Sequence, residues 1–233
     1  MKTLDLTFSQ AADNLACDEA LLDEREASGG DEVLRFWSPK KYFTVLGYSN
    51  ALKDEVRGTG PVFRRCSGGG TVLQGPGCLN YSLILKIKPG GPLDRIRSTN
   101  EYVMQRQREA LAKLLKKEVS VRGHTDLTLG ELKFSGNAQR RKRGWLLFHG
   151  SFLLDFDIAR LEDALKIPEK QPAYRQNRPH ASFVTNLKVP PSKVKEALKK
   201  IWGAEGKLTK VPRERLKALA KERYSKKEWN LKF

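Results

Sequence analysis

The chain has 233 residues, of which 39% are hydrophobic and 30% are charged, and these values predict one globular domain with a sizeable core. No apolar run has the length of a membrane span, and the first residues lack the apolar stretch of a signal peptide, so we expect no membrane segment and a cytoplasmic location. The formal net charge of +17 predicts an acidic partner, and three cysteines without metal-type spacing fit a reducing compartment.

The apolar patterns predict short strands and helices that do not alternate regularly along the chain. We expect strands at residues 4–7, 33–37, 43–46, 71–74, 79–87, 119–121, 127–134 with a turn at Gly130, and 145–154. We expect helices at residues 11–27, from Asp94 or Thr99 to 117, and at 158–165, 194–202 and 213–223. Residues 168–179 are polar and contain prolines, which indicates a loop. Because the pattern is not a βαβ series, it favours an α+β fold with a mixed, largely antiparallel sheet flanked by helices.

Residues 64–82, RRCSGGGTVLQGPGCLNYS, are the most distinctive stretch. The glycines Gly68, Gly69 and Gly70 remove side chains, so another molecule can approach the backbone, whose N–H groups can bind a phosphate or carboxylate. Arg65 adds fixed positive charge beside them. The stretch is neither a P-loop, since no Gly-Lys-Ser/Thr follows, nor a Rossmann fingerprint, since a strand comes next. An isolated GGG is more often a mobile turn, but the apolar strands on both sides favour a fixed loop.

A second stretch, residues 126–150, combines a lysine with a turn of small residues. Lys133 lies in a strand pattern and is followed by Ser135, Gly136 and Asn137, so its side chain can project towards a bound ligand. As a compact point charge, a lysine suits a carboxylate or a phosphate. With 44 Lys and Arg residues in the chain, a surface lysine on an edge strand explains Lys133 at least as well on position alone.

Together the two stretches resemble the lipoate–protein ligase and octanoyltransferase family, whose signatures are RRxSGGGxVxHDxGNxNYS and K-x-SG-x-A-x-R with a later HHG-T-LL. Residues 33–50 resemble the early strand pair of that family, and residues 183–187, FVTNL, resemble its VTNL element. Four motifs in the same order are more specific than any one of them. The resemblance implies a class II-synthetase-like biotin/lipoate ligase catalytic domain at residues 1–190, with residues 191–233 as a basic C-terminal helical extension of the same domain.

The resemblance also implies an activity that depends on ATP and Mg²⁺. In a ligase, lipoate and ATP form lipoyl-AMP and pyrophosphate, and a lysine amine of an acceptor domain then attacks the mixed anhydride. Lys133 would hold the acyl carboxylate and the adenylate phosphate and would stabilise charge during the attack. Asp126 matches the acidic residue that the family places near Mg²⁺. This chemistry needs no protein nucleophile.

The same match implies the remaining pocket residues. Trp37 matches a tryptophan that lines the lipoyl pocket, whereas Arg65 and Asn80 would face the nucleotide. The other members of the implied pocket are Ser67, Gly68, Gly69, Gly70, Thr71, Ser135, Gly136, Asn137, Ala138, Arg140 and His149. Taken alone, His149 is explained equally well as a hydrogen-bonded core histidine.

The family contains a second chemistry, in which an octanoyltransferase uses a cysteine thiolate to take the acyl group from acyl carrier protein. The cysteine-dependent relatives place this nucleophile shortly before the lysine strand, where residues 119–129 of this chain contain no cysteine. Cys66 and Cys78 flank the glycines instead, and free cysteines are usually small buried hydrophobes. We therefore expect a ligase, with an octanoyl- or lipoyl-transferase that uses Cys66 or Cys78 as the alternative.

The chain departs from the family pattern at several positions. Gln74 and Gly75 replace a His-Asp pair, Cys78 replaces an asparagine, and Thr125 stands where ligases often have an asparagine beside the metal-binding acid. The short stretch after Leu187 predicts no accessory domain of the kind that assists adenylate formation in many bacterial ligases. Three explanations follow: a separate accessory chain performs activation, the protein only transfers, or it needs no such domain. A basic binding module is the non-enzyme alternative.

The positive charge is concentrated at residues 140–143, RRKR, and between residues 193 and 232. The resemblance implies that this charge steers an acidic lipoyl carrier domain, either a 2-oxoacid dehydrogenase subunit or a glycine-cleavage H-like protein. Nucleic acid is the competing explanation, but no helix-turn-helix, zinc-finger or RNP-type pattern supports it. Many lysines near the C-terminus are also explained as a solvated helix face.

Overall fold

The computed structural model describes all 233 residues and contains both strands and helices. The strands are β1 (Lys2–Asp5), β2 (Val33–Trp37), β3 (Phe43–Leu46), β4 (Val62–Arg64), β5 (Val72–Gln74), β6 (Cys78–Lys86), β7 (Ser120–Arg122), β8 (Asp126–Leu129), β9 (Leu132–Arg141), β10 (Trp145–Leu153) and β11 (Gly206–Lys207). The helices are α1 (Ala11–Ser28), α2 (Leu52–Glu55), α3 (Ile96–Leu115), α4 (Arg160–Ala164), α5 (His180–Phe183), α6 (Pro191–Trp202), α7 (Arg213–Leu219) and α8 (Lys227–Asn230). Short helical turns of other types lie at Ala173–Arg175 and Ala220–Tyr224.

The larger of two sheets has eight strands in the order β11-β1-β2-β6-β10-β9-β8-β7. Neighbouring strands from β2 to β7 are antiparallel, whereas β1 runs parallel to both β2 and β11. The prediction of an α+β fold with a mixed, largely antiparallel sheet is therefore confirmed. Strand β11 was not predicted, because two residues are too few for a hydrophobic period to appear.

Helices cover both faces of the large sheet. On one face α3 and α6 pack against residues such as Leu83 and Phe148, and on the other α1 and α7 pack against Ile84 and Leu147. Because neither face meets solvent at the centre, all five residues of β2 are buried and the strand shows no polar alternation. None of the helices combines the length and the apolar character that crossing a membrane requires.

A second sheet of three strands, in the order β4-β3-β5, carries the glycine-rich stretch. Strands β2 and β3, in the segment that resembles the early strand pair of the family, lie at their predicted residues and belong to different sheets. The turn before β6 depends on Gly77, whose φ is +87°. A Cβ at Gly77 would overlap the backbone of Asp155, so only glycine fits this close approach.

The C-terminal residues 191–233 pack closely on the rest of the chain. Helix α6 lies on α3, and α7 lies on α1. Arg215 Nη2 is 2.6 Å from Asp23 Oδ2, and Arg223 forms an ion pair with Glu19. Some of the basic residues that the sequence assigns to a solvated face therefore attach this extension to α1.

Arg35 of β2 is fully buried where the strand meets α1. Its Nη1 lies 2.5 Å from Asp18 Oδ1 and donates to the carbonyl oxygen of Asn14 at 2.8 Å. Its Nη2 donates to the carbonyl oxygen of Leu6 at 3.1 Å. Burial acts to raise the pKa of Asp18, but the charge of Arg35 and the contact with His149 outweigh it, so the pKa lies below its ordinary value. Asp18 is therefore a buried anion.

Replacing Arg35 with methionine is expected to lower the free energy of unfolding by about 3–5 kcal/mol near neutral pH, because Asp18 is left as a buried charge without its partner. Burial without the arginine raises the pKa of Asp18, so the variant protonates this carboxylate first as the pH falls, whereas the wild-type pair persists until the pH falls through its lowered pKa. The difference in the free energy of unfolding between the wild type and the variant should therefore decrease as the pH falls from about 7 to about 5, as measured by guanidinium unfolding.

The matched control carries Arg35→Met together with Asp18→Leu and so removes both charges. It should recover most of the lost stability, because no buried charge remains unpaired. An equal loss in the single and the double variant would contradict the assignment of the effect to the ion pair.

Candidate active site

The glycine loop, residues 66–71, is shaped by the buried guanidinium of Arg65. The Nη2 of Arg65 donates to the carbonyl oxygen of Gly68 at 2.5 Å and to that of Gly70 at 2.8 Å. Its Nε donates to Ser67 Oγ at 3.1 Å. Burial lowers the pKa of Arg65 to about 10, which leaves the side chain charged near neutral pH. The resemblance assigns Arg65 to the nucleotide, whereas in the structure its donors are directed into the loop.

The amide groups of the glycine loop are left free for a ligand. The N–H groups of Gly68, Gly69 and Gly70 have no hydrogen-bond partner within the protein. Gly69 has a φ of +85°, a conformation in which consecutive amides can converge on one anion. The adjoining backbone is also close, because a Cβ at Gly47 would overlap the carbonyl oxygen of Gly69. The predicted anion-binding role of this loop is consistent with these free donors.

Lys133 lies on β9, between β8 and β10, and so is not on an edge strand. Its Nζ is 2.7 Å from Asp126 Oδ1, and its side chain is 28% exposed, which leaves the ammonium accessible to a ligand. The other carboxylate oxygen of Asp126 accepts a hydrogen bond from the Tyr174 hydroxyl at 2.8 Å. A Cβ at Gly136 would come within 3.0 Å of Lys133 Nζ, so the small residue makes room for the lysine.

Asn137 connects the neighbouring strands around this lysine. Its Nδ2 donates to the carbonyl oxygen of Thr125 at 2.6 Å, and its Oδ1 accepts from the Tyr81 hydroxyl at 2.6 Å. Thr125 Oγ1 donates to the carbonyl oxygen of Asn137 at 2.8 Å. Thr125, a departure from the family pattern, therefore fixes the backbone beside Asp126. A Cβ at Gly150 would overlap the Asn137 amide, which explains a small residue there.

His149 of β10 links the glycine loop to α1. Its Nε2 lies 2.5 Å from Ser67 Oγ, and its Nδ1 lies 3.6 Å from Asp18 Oδ2. In the sheet His149 is paired with Ala138 of β9. The Ala138 side chain is 3.5 Å from the position that a Cβ of Gly69 would occupy. The structure thus brings Ser67, the glycine loop, Ala138 and His149 together beside the strand that carries Lys133.

A row of polar side chains on β2, β6 and β10 lies next to the glycine loop and His149. Trp37 pairs in register with Asn80, and its buried indole N–H has no partner in the protein. Asn80 Nδ2 donates to Gln74 Oε1 at 2.8 Å, and Gln74 Nε2 donates to Ser151 Oγ at 3.2 Å. Ser151 is paired with Gly136 of β9. Gln74, which replaces the histidine of the family pattern, therefore joins two strands of the site.

The outer end of the glycine loop is positively charged. Arg140 is exposed, and its guanidinium carbon lies 6.0 Å from the centroid of the Tyr48 ring. Lys232 Nζ lies 3.7 Å from the same centroid. Thr71 Oγ1 accepts a hydrogen bond from Asn50 Nδ2 at 3.2 Å, which ties the loop to the segment that carries this ring.

Asp18, Gln74 and Tyr174 contact the site but were not among its predicted residues. They come from α1, from β5 and from the segment predicted as a loop. Asp18 and Glu19 are adjacent acids on an otherwise apolar part of a helix, and that pattern indicates buried cationic partners. Tyr174 has no comparable signal in the sequence.

The side chains near Lys133 determine how the expected Mg²⁺ could bind there. No group of three His, Cys, Asp or Glu side chains in the chain is placed to hold a metal ion. Asp126 is one carboxylate, and Mg²⁺ commonly takes one or two carboxylates together with substrate phosphates and water. The residues therefore fit an ion that arrives with a nucleotide and contacts Asp126, and they do not fit a resident metal centre.

The three cysteines are buried thiols. Cys66 and Cys78 are 5% and 3% exposed, and burial raises the pKa of each to about 12. Burial likewise raises the pKa of Cys17 to about 11. Because the thiolate is the nucleophilic form, none of these sulfurs resembles the accessible nucleophile of a cysteine-dependent transferase.

Known proteins share the pattern of this chain over most of its length. Residues 10–201 match the model of the lipoyl protein ligase A/B catalytic domain. The lipoate-protein ligase A subunit 1 of Thermoplasma acidophilum is 27% identical, over 94% of this chain and 91% of that protein. The octanoyltransferase LipM of Symbiobacterium thermophilum is also 27% identical, over 75% of this chain and 72% of that protein.

Solved structures share the fold, and two of them illustrate the likeness. One is a bi-partite lipoate protein ligase with its E2 lipoyl domain from T. acidophilum, with a TM-score of 0.83, 23% identity, and 99% of this chain and 95% of that chain covered. The other is a lipoate-protein ligase A bound with ATP, with a TM-score of 0.81, 22% identity, and 99% and 98% covered. These likenesses confirm the fold that the sequence motifs predict.

Burial of the thiols predicts that the native protein resists alkylation. At about pH 8, iodoacetamide should not alkylate Cys17, Cys66 or Cys78 within the time needed to alkylate an exposed thiol, as measured by intact mass. The same protein unfolded in guanidinium is the control, and all three cysteines should then react. Rapid modification of Cys66 or Cys78 in the native protein would instead reveal an accessible nucleophile.

Proposed function

The chain belongs to the lipoyl protein ligase A/B catalytic domain family, and on that premise we propose that it attaches lipoate to a specific lysine of an acidic lipoyl carrier domain. The lipoate would first react with ATP to form lipoyl-AMP. The observation that carries the proposal is that Lys133 Nζ approaches Gly136 of β9, while the glycine loop with its free amides approaches Ala138, two residues further along the same strand. A cation and a row of amide donors are what an acyl carboxylate and an adenylate phosphate require.

In the activation step, a carboxylate oxygen of lipoate would attack the α-phosphorus of ATP, and pyrophosphate would leave. Lys133 would offset the charge of the carboxylate and the phosphate, and the amides of Gly68, Gly69 and Gly70 would donate to the same oxygens. Asp126 would orient Lys133 and contact a nucleotide-borne Mg²⁺, which supplies charge neutralisation at the phosphates.

In the transfer step, a lysine amine of the carrier would attack the carbonyl carbon of lipoyl-AMP. The C–N bond forms, the C–O bond to AMP breaks, and negative charge develops on oxygens held by Lys133 and the glycine loop. The acyl chain would extend towards Trp37, whose buried ring offers an apolar surface to the chain. Catalysis would rest on charge stabilisation and positioning, with no covalent intermediate on the protein.

Two observations bear on the alternatives. The buried thiols favour the ligase over a transferase that uses Cys66 or Cys78. A second candidate is transfer alone, with activation on a separate accessory chain, because a relative that spans 94% of this chain is named as a subunit and one related structure is a bi-partite ligase. In that case this chain would accept preformed lipoyl-AMP.

The charge around Tyr48 supports an acidic carrier. Arg140 and Lys232 both lie against its ring, and the Tyr48 N–H donates to the carbonyl oxygen of Ser67 at 2.9 Å. A positive edge therefore adjoins the glycine loop, where a carrier would deliver its lysine. Opposite charge on the carrier would speed the encounter and favour the productive orientation.

Incubation with lipoate, Mg·ATP and the apo lipoyl domain of a 2-oxoacid dehydrogenase should add one lipoyl group to the acceptor, as measured by intact mass. Lys133→Ala should lower the initial rate at least about 100-fold, because charge in both steps loses its main cation. The matched control is Lys207→Ala, which should keep the wild-type rate. Lys207 lies on β11, an edge strand that is distant from β9 in the sheet order.

Other outcomes separate the alternatives. Modification only from preformed lipoyl-AMP would place activation on another chain. Modification only from octanoyl acyl carrier protein would contradict the ligase and support a transferase. Retention of nucleic acid with no acylation from any donor would support the basic binding module.

The positive edge predicts that carrier affinity depends on salt. Lys232→Gln should raise the KM for the acceptor several-fold at about 50 mM salt and have little effect at about 500 mM salt, because screening weakens the attraction in both proteins. Lys207→Gln is the matched control and should behave as wild type. An unchanged acceptor KM at low salt would exclude Lys232 from the carrier-binding edge.

A further inference from the structure

Three side chains from separate parts of the chain stand in a row behind the glycine loop. Asp18 comes from α1, His149 from β10 and Ser67 from the loop itself. His149 Nε2 lies 2.5 Å from Ser67 Oγ, and His149 Nδ1 lies 3.6 Å from Asp18 Oδ2. Asp18 and Ser67 are 3% and 1% exposed, so bulk water does not compete for these contacts.

The charge of Asp18 sets the direction of hydrogen bonding in this row. Arg65 Nε donates to Ser67 Oγ at 3.1 Å, and the hydroxyl hydrogen of Ser67 remains available to His149 Nε2. At the other end, Arg35 keeps Asp18 ionised, and a carboxylate only accepts. The His149 tautomer that satisfies both has Nδ1 protonated towards Asp18 and Nε2 free to accept. A proton can therefore pass from Ser67 to the imidazole.

The remaining surroundings of His149 do not compete for this proton. The residues paired with it on β6 and β9 are a serine and an alanine, which carry no charge. The charged group that faces His149 is Asp18 from α1, and Arg65, just before the loop, contacts the other end of the row at Ser67. Glu19, the next residue of α1, is engaged by Arg223.

Acyl transfer to a lysine needs a proton acceptor. The amine nitrogen becomes positively charged as its bond to the carbonyl carbon forms, and it must lose a proton to give the amide. Lys133 and Asp126 are engaged with each other, and Asp126 also accepts from Tyr174. Ser67 stands at the start of the glycine loop, beside the amides that would bind the acyl-adenylate.

We propose that Ser67, His149 and Asp18 form a proton relay for this transfer, an inference that rests on the proposed lipoate attachment. As the C–N bond forms and the C–O bond to AMP breaks, the amine proton passes to Ser67 Oγ while the proton of Ser67 passes to His149 Nε2. AMP leaves as the phosphate anion. The imidazolium is stabilised by the Asp18 carboxylate until it releases its proton to water. His149 is thus the base, Ser67 carries the proton, and Asp18 is a positioning residue.

The test follows transfer alone, in single turnovers from preformed lipoyl-AMP to the apo lipoyl domain, over a range of pH. The wild-type rate should rise with pH and then reach a plateau, the profile expected of a transfer that depends on one general base. Ser67→Ala and His149→Gln should each lower the rate roughly 100-fold near neutral pH and replace the plateau by a continuous rise. Ser67→Thr keeps the hydroxyl and should recover most of the rate.

Asp18→Asn tests the positioning residue. Without the carboxylate the imidazolium is less stable, so the midpoint of the pH profile should move to lower pH. If this variant does not fold, because Arg35 then lacks its partner, the Ser67 and His149 variants still decide the question. Calorimetry should show lipoyl-AMP affinity in His149→Gln within about threefold of wild type, since a base acts on rate and not on ground-state binding.

The outcomes distinguish the relay from the function on which it rests. If the wild-type protein transfers no lipoyl group, the proposed function fails. If the wild type transfers, but Ser67→Ala and His149→Gln keep its pH profile and only weaken lipoyl-AMP binding, the row is structural and the relay alone is overturned.

Discussion

The guanidinium of Arg35 lies inside the core, joins α1 to β2, and also reaches the carbonyl oxygen of Leu6. Its charge is balanced by Asp18, Asp18 contacts His149, and His149 contacts Ser67 at the start of the glycine loop. One buried cation therefore orients a row of side chains that ends at the candidate active site. Because each charge in such a row compensates another, core packing and the chemistry of the site depend on the same contacts.

The sequence predicted the positions of elements with long apolar patterns better than it predicted which of the short strands pair with each other. Helices α1 and α3 and strands β6 and β10 lie close to their expected positions, because burial imposes a regular pattern on each. Strands β2 and β3 follow each other along the chain but lie in separate sheets, and no local feature of the sequence predicts which strands will pair. The edge formed by β1 and β11 depends on contacts such as that of Thr3 Oγ1 with the carbonyl oxygen of Gly206, 203 residues away.

The same limit applies to the site. The motifs supplied the contiguous parts, the glycine loop and the lysine strand, whereas Asp18 and Tyr174 reach them only through the fold. Arg65 shows a different limit. From the sequence, a cation beside three glycines could either bind a nucleotide or stabilise the loop. The hydrogen bonds of Arg65 to the carbonyl oxygens of Gly68 and Gly70 show that it stabilises the loop.

The preceding arginine, Arg64, donates to the carbonyl oxygens of Trp229 and Asn230, and its own carbonyl accepts from the Trp229 indole, 165 residues along the chain. The residue at the start of the motif is thus held partly by residues that the motif does not contain. Copying RRCSGGG into an unrelated scaffold would keep the acceptors of Arg65 at Gly68 and Gly70 but would lose these partners of Arg64. The motif therefore depends on the fold that surrounds it, and for that reason so short a stretch of residues can indicate an entire fold.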